Sequence, residues 1–327
     1  MNGSRNEARA GAQTLVLLSA PVNVLLLEAL AGGPKQQSEL RRDTGSPAQT
    51  TLRGHLKALM RVGALERRRR NSFPGMLECE LTPSGKELLL VLDVLRRWLE
   101  RAPDGALAPG SNEAKAAIKA LAEGWSTTML RALAATPLSL TELDSVIGAL
   151  SYPALERRLA TMRLAGLVAP RPTNGRGTPY AVTDWQRLGV APVAAAARWE
   201  SRNLAAHSAA ITPLDVEAAF LLAVPRLRLP GELSGACRIA AEIRNGGKRR
   251  LAGVRVAVED DGSIASCTTS LEGSVDAWAL GSPDAWFRAV IESDLTELEL
   301  GGDCSLSRAL VEGLHDSLFG TPVQSCP

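Results

Sequence analysis

Four consecutive arginines, Arg67–Arg70, form the densest run of positive charge in this sequence. Arginine neutralises phosphate groups and fits narrow minor grooves, so such a run predicts contact with a nucleic-acid backbone. Residues for enzymatic chemistry are scarce. The three histidines are far apart, and no nucleophile elbow, phosphate-binding loop or metalloprotease motif occurs. We therefore expect a binding protein that is not an enzyme and uses neither cofactor nor metal.

Two predicted helices precede the arginine run and are joined by a tight turn. The first helix is Gln37–Arg42, and the turn Thr44–Pro47 supplies Ser46 as the expected N-cap of the second helix, which ends near Val62. Leucines at helical spacing mark the buried face of the second helix. The residues of its opposite, polar face are Gln49, Thr50, Arg53 and Lys57.

The arginine run itself falls in the first strand of a predicted β-hairpin. Leu65–Arg70 and Met76–Leu81 are the two strands, and a long helix, Ser84–Arg101, follows. This order of elements describes a winged helix-turn-helix, whose second helix enters the DNA major groove while the hairpin contacts the flanking backbone. We predict DNA contacts through the polar helix face and Arg67, Arg68, Arg69 and Arg70. At most about half of these arginines can face one DNA strand, because strand residues alternate between faces.

The same pattern occurs a second time, displaced by 103 residues. Ser38–Leu40 recurs as Thr141–Leu143 and Leu52 recurs as Leu155, and beyond the hairpin the spacing becomes 101 residues. A repeat of about 100 residues suits a duplicated globular domain. The candidate DNA contacts of the second copy are Ser151, Tyr152, Arg157, Arg158, Arg171 and Arg176.

The second copy resembles the HxlR family of bacterial winged-helix regulators and, more loosely, the MarR group. The motifs that carry the resemblance are Leu140–Leu143, Ser151–Leu159, Ala165–Val168 and Pro179–Thr183, with Ser38–Arg41, Val62–Leu65 and Leu81–Gly85 in the first copy. The resemblance covers roughly residues 12–200 and implies DNA-binding transcription regulation. Family members are normally homodimers. The duplication predicts instead that one chain supplies both halves, with Ser84–Arg101 and Trp185–Trp199 as the pairing helices.

A third segment, after Ile211, has no counterpart in either copy. Its predicted strands are Gly235–Ile243, Gly253–Glu259, Ser263–Ser270, Ser274–Leu280 and Thr296–Asp303, and its predicted helices are Asp215–Leu222, Ser282–Glu292 and Ser305–Phe319. Val275–Ser282 and Leu298–Asp303 resemble two passages of the sterol-carrier-protein type of lipid-binding domain. That resemblance implies an open sheet whose covering helices enclose an apolar tunnel. Candidate ligand-binding residues are Phe220, Leu221, Val224, Trp278, Trp286, Phe287 and Val290; the alternative is that the aromatic ones fill a small core.

Charge is distributed unevenly along the chain. The net charge is +5 for residues 1–110, +4 for residues 111–212 and −7 for residues 213–327, which favours nucleic acid as the partner of the two copies. The five cysteines are scattered, so neither a zinc site nor a disulfide framework is expected. No apolar run reaches the ~18 residues of a membrane span, and no signal-peptide pattern is present, so we expect a cytoplasmic protein.

Together these patterns predict a multidomain fold, mainly α with α+β: a first winged helix-turn-helix (1–101), a linker (102–111), a second winged helix-turn-helix (112–210) and an α/β sterol-carrier-like domain with an apolar tunnel (211–321). The expected function is ligand-responsive transcription regulation. Its expected partners are double-stranded DNA and a lipid-like or polyaromatic molecule, and the chain acts as a monomeric pseudo-dimer or as a homodimer. Two alternatives stay open: a sequestering or resistance protein that uses the winged helices for protein contacts, and an enzyme acting on a pocket-bound hydrophobic substrate.

Overall fold

The computed structural model describes residues 9–69, 77–124, 127–148, 150–173, 177–204, 208–245 and 248–320, and these combine helices and strands. Contacts divide the chain into two compact units, Met1–Glu123 with Pro192–Ala209, and Gly124–Ala191 with Ala210–Pro327. Among the described residues no single helix is long and apolar enough to cross a membrane.

The first unit contains a helix-turn-helix and a small antiparallel sheet. Its helices are α1 (Ala12–Leu18), α2 (Pro21–Ala31), α3 (Gln37–Asp43), α4 (Gln49–Arg61), α5 (Pro83–Glu100) and α6 (Asn112–Gly124). Its strands are β1 (Lys35–Gln36), β2 (Leu65–Arg69) and β3 (Leu77–Leu81), in the order β1-β3-β2. Leucines dominate the core, as the helical spacing predicts; Leu26, Leu40, Leu52, Leu56 and Leu59 have no exposed surface.

The turn between α3 and α4 differs from the prediction. Ser46 is not the N-cap of the second helix, because α4 begins only at Gln49. The Ser46 backbone N–H donates instead to the Arg41 carbonyl (2.7 Å), and both Gly45 (φ 78°) and Ser46 (φ 55°) adopt the left-handed conformation. This arrangement satisfies carbonyls at the end of α3, as left-handed helix endings do. Ser46 therefore belongs to the C-terminal end of α3, and α4 begins at Gln49.

The second unit holds the second copy and the C-terminal domain. Its helices are α7 (Thr127–Ala135), α8 (Leu140–Val146), α9 (Tyr152–Leu164), α10 (Asp184–Leu188), α12 (Pro213–Ala223), α13 (Pro283–Glu292) and α14 (Cys304–Leu318), and α11 (Val190–Asn203) belongs to the first unit from Pro192 onward. Its strands are β4 (Val168–Pro170), β5 (Tyr180–Val182), β6 (Gly235–Asn245), β7 (Lys248–Val258), β8 (Ile264–Thr268), β9 (Ala277–Gly281) and β10 (Glu299–Gly302). The order α8-α9-β4-β5 repeats the order α3-α4-β2-β3. Val168 pairs with Val182 as Leu65 pairs with Leu81.

The C-terminal domain is built on a five-stranded sheet in the order β10-β9-β6-β7-β8. Strands β6 and β9 run parallel, and the other neighbours are antiparallel. One face is buried and includes Ile239, Val254, Ala277 and Ala279, each without exposed surface. Helices α12, α13 and α14 pack on the sheet. Because successive residues point to opposite faces, Trp278 lies on the face opposite Ala277 and Ala279.

Helix α11 continues into the first unit, where its C-terminal part packs against α5 and α1. The buried Trp199 donates a hydrogen bond from Nε1 to the Ser84 carbonyl at the start of α5 (2.9 Å). The carboxylate of Glu200, whose residue is 1 % exposed, accepts from the backbone N–H groups of Gly11 (2.8 Å) and Thr14 (2.7 Å). These two donors lie at the start of α1 and have no partner within that helix. Glu200 therefore acts as a remote cap for α1.

Candidate nucleic-acid interface

Helix α4 presents a polar edge to solvent. Its leucines are buried in the first unit, and the four residues predicted to contact DNA, Gln49, Thr50, Arg53 and Lys57, are all exposed. Residues spaced three and four apart share a helix face, so Thr50, Arg53 and Lys57 lie along one line. The helix therefore combines a firmly packed inner face with a cationic outer face.

A polar contact anchors α4 to α2. The half-buried His55 ring nitrogen Nδ1 lies 2.9 Å from Oδ1 of Asn23, and Asn23 Nδ2 donates to the Leu17 carbonyl (2.7 Å). Burial lowers the pKa of His55, which favours the neutral imidazole near pH 7. His55 thus orients the helix from its inner side.

The two faces of the hairpin formed by β2 and β3, which we call the wing, differ in charge. Arg67 and Arg69 share a face on which the described strand residues include no carboxylate; its other members are Leu65, Leu77, Cys79 and Leu81. Arg68 lies on the opposite face, where Glu66, Glu78 and Glu80 are also found. Arg68 Nη1 is 3.4 Å from Oε1 of Glu80. Of the wing arginines that the structure describes, only Arg67 and Arg69 therefore present positive charge without an acidic side chain on the same face of the two strands.

Beyond these arginines, the wing contains a buried cysteine and a tip that lies outside the described residues. Arg70 and the tip of the hairpin, Asn71–Gly75, lie outside the described residues. Burial raises the pKa of the Cys79 thiol, and the neighbouring Arg67 only partly opposes that effect. Cys79 therefore stays a neutral thiol beneath the wing.

The predicted contact residues of the second copy differ in charge from those of the first. Ser151, Tyr152, Arg157 and Arg171 are exposed, Arg158 is half-buried, and Arg176 lies outside the described residues. At the 103-residue offset, the positions of Arg53, Lys57 and Arg61 in α4 are taken in α9 by Glu156, Ala160 and Leu164. The segment from α3 to α4 carries five basic and two acidic residues, whereas the segment from α8 to α9 carries three of each. The cationic face of α4 is therefore not repeated in α9.

The second hairpin differs in the same way. Leu65 pairs with Leu81 in the first hairpin, and Val168, 103 residues after Leu65, pairs with Val182 in the second. At this offset Arg67 and Arg69 correspond to Pro170 and Pro172. Proline has no N–H to donate to a sheet, which agrees with the three-residue length of β4. Arg171 corresponds to Arg68, the wing arginine whose face is shared with carboxylates. The predicted contacts of the second copy did not take account of these replacements, which become visible when the two copies are aligned at the 103-residue offset.

The candidate ligand residues of the C-terminal domain separate into two groups. Phe220, Leu221, Val224 and Trp286 are buried, and Phe287 and Val290 are half-buried on α13. The Phe220 and Trp286 rings meet edge to face with centroids 4.9 Å apart, and Trp286 Nε1 donates to the Ala240 carbonyl (2.8 Å). Trp278 lies on the other face of the sheet. The structure therefore brings Phe220 and Trp286 together but does not bring Trp278 to them.

Helix α12 also connects the C-terminal sheet to the second copy. Its Glu217, which is 9 % exposed, is 3.0 Å from Nε of Arg131 on α7. Arg187 of α10 donates from Nη1 to the carbonyls of Leu221 and Leu222 (3.1 Å each). Neither arginine was among the predicted site residues, because nothing in their local sequence marks them as partners of a distant helix.

Residues 17–105 of the chain match the model of the HxlR-like helix-turn-helix family. The matched segment runs from the end of α1 through α5 and contains α4 and the wing. A search of curated proteins found no match for the chain. The family match suggests a DNA-binding transcription regulator with an N-terminal helix-turn-helix.

Proposed function

We propose that this chain is a transcription regulator that reads DNA with its first copy. Helix α4 enters the major groove, where Arg53 and Lys57 reach base edges, and Arg67 and Arg69 of the wing contact the flanking phosphates. One observation carries the proposal. Within the segment that matches the helix-turn-helix family, the exposed side of α4 and one face of the wing are cationic and free of carboxylates.

The second copy is proposed as a second winged helix-turn-helix that contributes much less to DNA affinity. It keeps the order of helices and strands, but Glu156 replaces a basic residue at the centre of the reading helix. A protein contact is the second candidate function for this copy. Three apolar residues at α8 and α9 favour it, because Val146 is 62 %, Tyr152 44 % and Leu164 84 % exposed.

The C-terminal domain is proposed as a sterol-carrier-like sensor of a hydrophobic molecule. A five-stranded open sheet covered by α12, α13 and α14 has the layout that the sterol-carrier resemblance implies. Ligand seated beside Phe220 and Trp286 would move α12, and the Arg131–Glu217 ion pair would pass that shift to the second copy. Binding of ligand and of DNA would then alter each other reciprocally. We propose this role as a non-enzymatic one in the cytoplasm.

DNA binding is tested by fluorescence anisotropy of the full chain with a pool of random duplexes, followed by selection of the tightest. We expect salt-dependent binding that weakens when Arg53 is changed to Ala. Binding that is absent at low salt, or unchanged in that variant, would contradict the proposed interface.

The sensor role is tested with palmitate and with pyrene as probes. Either probe should raise the melting temperature and change DNA affinity, because a ligand that prefers one state shifts the equilibrium toward it. Trp286→Phe should weaken probe binding more than Trp278→Phe does. A probe that binds without changing DNA affinity would exclude sensing and favour sequestration.

A further inference from the structure

Two arginines stand directly opposite each other in the C-terminal sheet. Arg238 of β6 pairs with Arg255 of β7, on the same face as Trp278. Helix α13 covers the other face, since Ala285 Cβ would lie 3.1 Å from a Cβ placed on Gly281. Like charges at directly opposite positions destabilise a sheet. Arg244 and Arg249 also stand opposite each other on these strands, but Arg249 forms an ion pair with Glu242. The pair of Arg238 and Arg255 differs because it has no such carboxylate among the described residues.

Neither guanidinium is neutralised by the residues that the structure describes. Arg238 Nη2 donates to the Gly273 carbonyl (2.9 Å), and neither arginine forms an ion pair with a described residue. The Nε atoms of both are buried and have no hydrogen-bond partner among these residues. Arg255 packs beneath the same loop, because a Cβ on Gly273 would lie 3.4 Å from its Nη1. Buried donors without a partner are costly, so an anion is the missing partner that the pair best fits.

Of the nearby carboxylates, Glu242 and Asp276 have other partners. Glu242 is bound to Arg249, which lies on the same sheet face further along the strands. Asp276 Oδ2 accepts from the backbone N–H of Ala236 (2.8 Å). Glu272, which precedes Gly273, makes no ion pair with a described residue. None of these carboxylates forms an ion pair with Arg238 or Arg255, so the positive charge of the arginine pair remains available to a ligand.

Trp278 lies next to this charge. It is the direct neighbour of Arg238 in the parallel pairing of β6 with β9, and Gly301 is its neighbour on β10. A Cβ on Gly301 would be 2.2 Å from Cζ2 of the indole, so the ring extends across β10 at a position where only glycine fits. A row of Arg255, Arg238 and Trp278 thus crosses three strands, with two fork-shaped donors at one end and an aromatic ring at the other.

We infer that this row binds a planar aromatic anion. The guanidinium groups take the carboxylate or phosphate through charge-assisted hydrogen bonds, and the indole packs against the ring. The net charge of −7 in residues 213–327 disfavours a polyanion such as nucleic acid and favours a small ligand. This site lies on the sheet face opposite Trp286 and is separate from the proposed hydrophobic-ligand site.

The experiment measures binding of three matched probes to the full chain by calorimetry: 2-naphthoate, 2-naphthyl phosphate and the neutral 2-naphthamide. We expect at least one anion to bind about tenfold or more tightly than the amide, since a hydrogen bond to a charged group is worth about 1.5–3 kcal/mol. The tighter of the two anions identifies the head group. Equal binding of anion and amide, or no binding of either anion at millimolar concentration, would overturn the inference.

Variants assign the effect to the row. Arg255→Gln should weaken anion binding about tenfold while leaving the melting temperature unchanged or raised, because it also removes the like-charge contact. Arg249→Gln, on the same strand face but paired with Glu242, is the matched control and should leave binding unchanged. Arg238→Gln serves as a second variant if Arg255→Gln does not fold. Unchanged binding in the arginine-pair variants, or a loss in the control as large as theirs, would contradict the assignment.

Discussion

The two copies of the repeat keep one scaffold but carry different surfaces. Leu52 and Leu155 are equally buried, and Thr82 and Thr183 cap the helices after the two hairpins in the same way. The outer face of α4 is cationic, whereas α9 has Glu156 at the position of Arg53. Core positions have thus been retained while surface positions have diverged. Sharing a fold therefore does not by itself give the second copy the cationic surface of the first.

The wing provides the largest expected effect. The double change Arg67→Ala and Arg69→Ala should weaken binding to all duplexes and lower the slope of log affinity against log salt by about two, since each phosphate contact contributes about 0.9. Arg68→Ala is the matched control, because its face already contains Glu80, and it should change the slope far less. Anisotropy titrations at several salt concentrations measure both. If Arg68→Ala lowered the slope as much as the double change does, the two faces of the wing would not differ in DNA binding.

The reading helix should determine base preference. Arg53→Ala is expected to relax selection at one base pair by about 1–3 kcal/mol while leaving the other positions unchanged. Selection from a random duplex pool, with wild type and variant in parallel, measures this. A uniform loss across all sequences would show that Arg53 contacts phosphate, and the base contact would then have to be sought at Gln49 or Thr50.

The first copy also depends on a residue near the end of the second copy, Glu200. Glu200→Ala removes the acceptor for two N–H groups at the start of α1 and should lower the free energy of unfolding by about 1–2 kcal/mol. Glu200→Gln keeps an acceptor and should be milder. Thermal melts of both variants beside wild type measure the difference. No change in either would mean that α1 does not need this cap.

The same carboxyl predicts a pH dependence. Burial raises the pKa of Glu200 above the ordinary value of 4.5 for a glutamate, although hydrogen bonds from the backbone act in the other direction. A raised pKa means that the folded chain holds this proton more tightly than the unfolded chain does. The contribution of Glu200 to stability is therefore largest below about pH 4.5 and falls as the pH rises through the folded-state pKa. Melting temperatures of wild type minus Glu200→Gln should fall across that window; a rise would contradict the assignment.

The smallest effect is expected in the second copy. Arg157→Ala should change DNA affinity by less than about twofold, because an exposed charge away from the reading surface contributes little. Arg53→Ala is the matched comparison at the equivalent helix. If Arg157→Ala lowered DNA affinity as much as Arg53→Ala does, the two copies would contribute equally to DNA binding, which contradicts the proposal.

The sequence predicted most of the elements but not their long-range partners. Leucine spacing, glycines and prolines predicted the helices and hairpins, because these elements depend on residues that are close together in the sequence. The prediction of Ser46 as an N-cap was wrong, because the Ser46 backbone N–H bonds to the Arg41 carbonyl at the end of α3 and α4 begins three residues later. Trp278 was grouped with Trp286 on apolar character, whereas strand alternation places it on the other face. The partners of Arg131, Arg187 and Glu200 are distant in sequence, so no local pattern could identify them.

The most direct test compares two matched sets of substitutions in the full chain. One set changes Arg53, Lys57, Arg67 and Arg69 to Ala, and the other changes Arg157, Arg158 and Arg171 to Ala. The measurement is the salt dependence of binding to one duplex selected by the wild type. The account predicts that the first set abolishes most of the salt-dependent affinity and that the second leaves most of it. Equal losses from both sets, or a larger loss from the second, would contradict the claim that the first copy reads DNA.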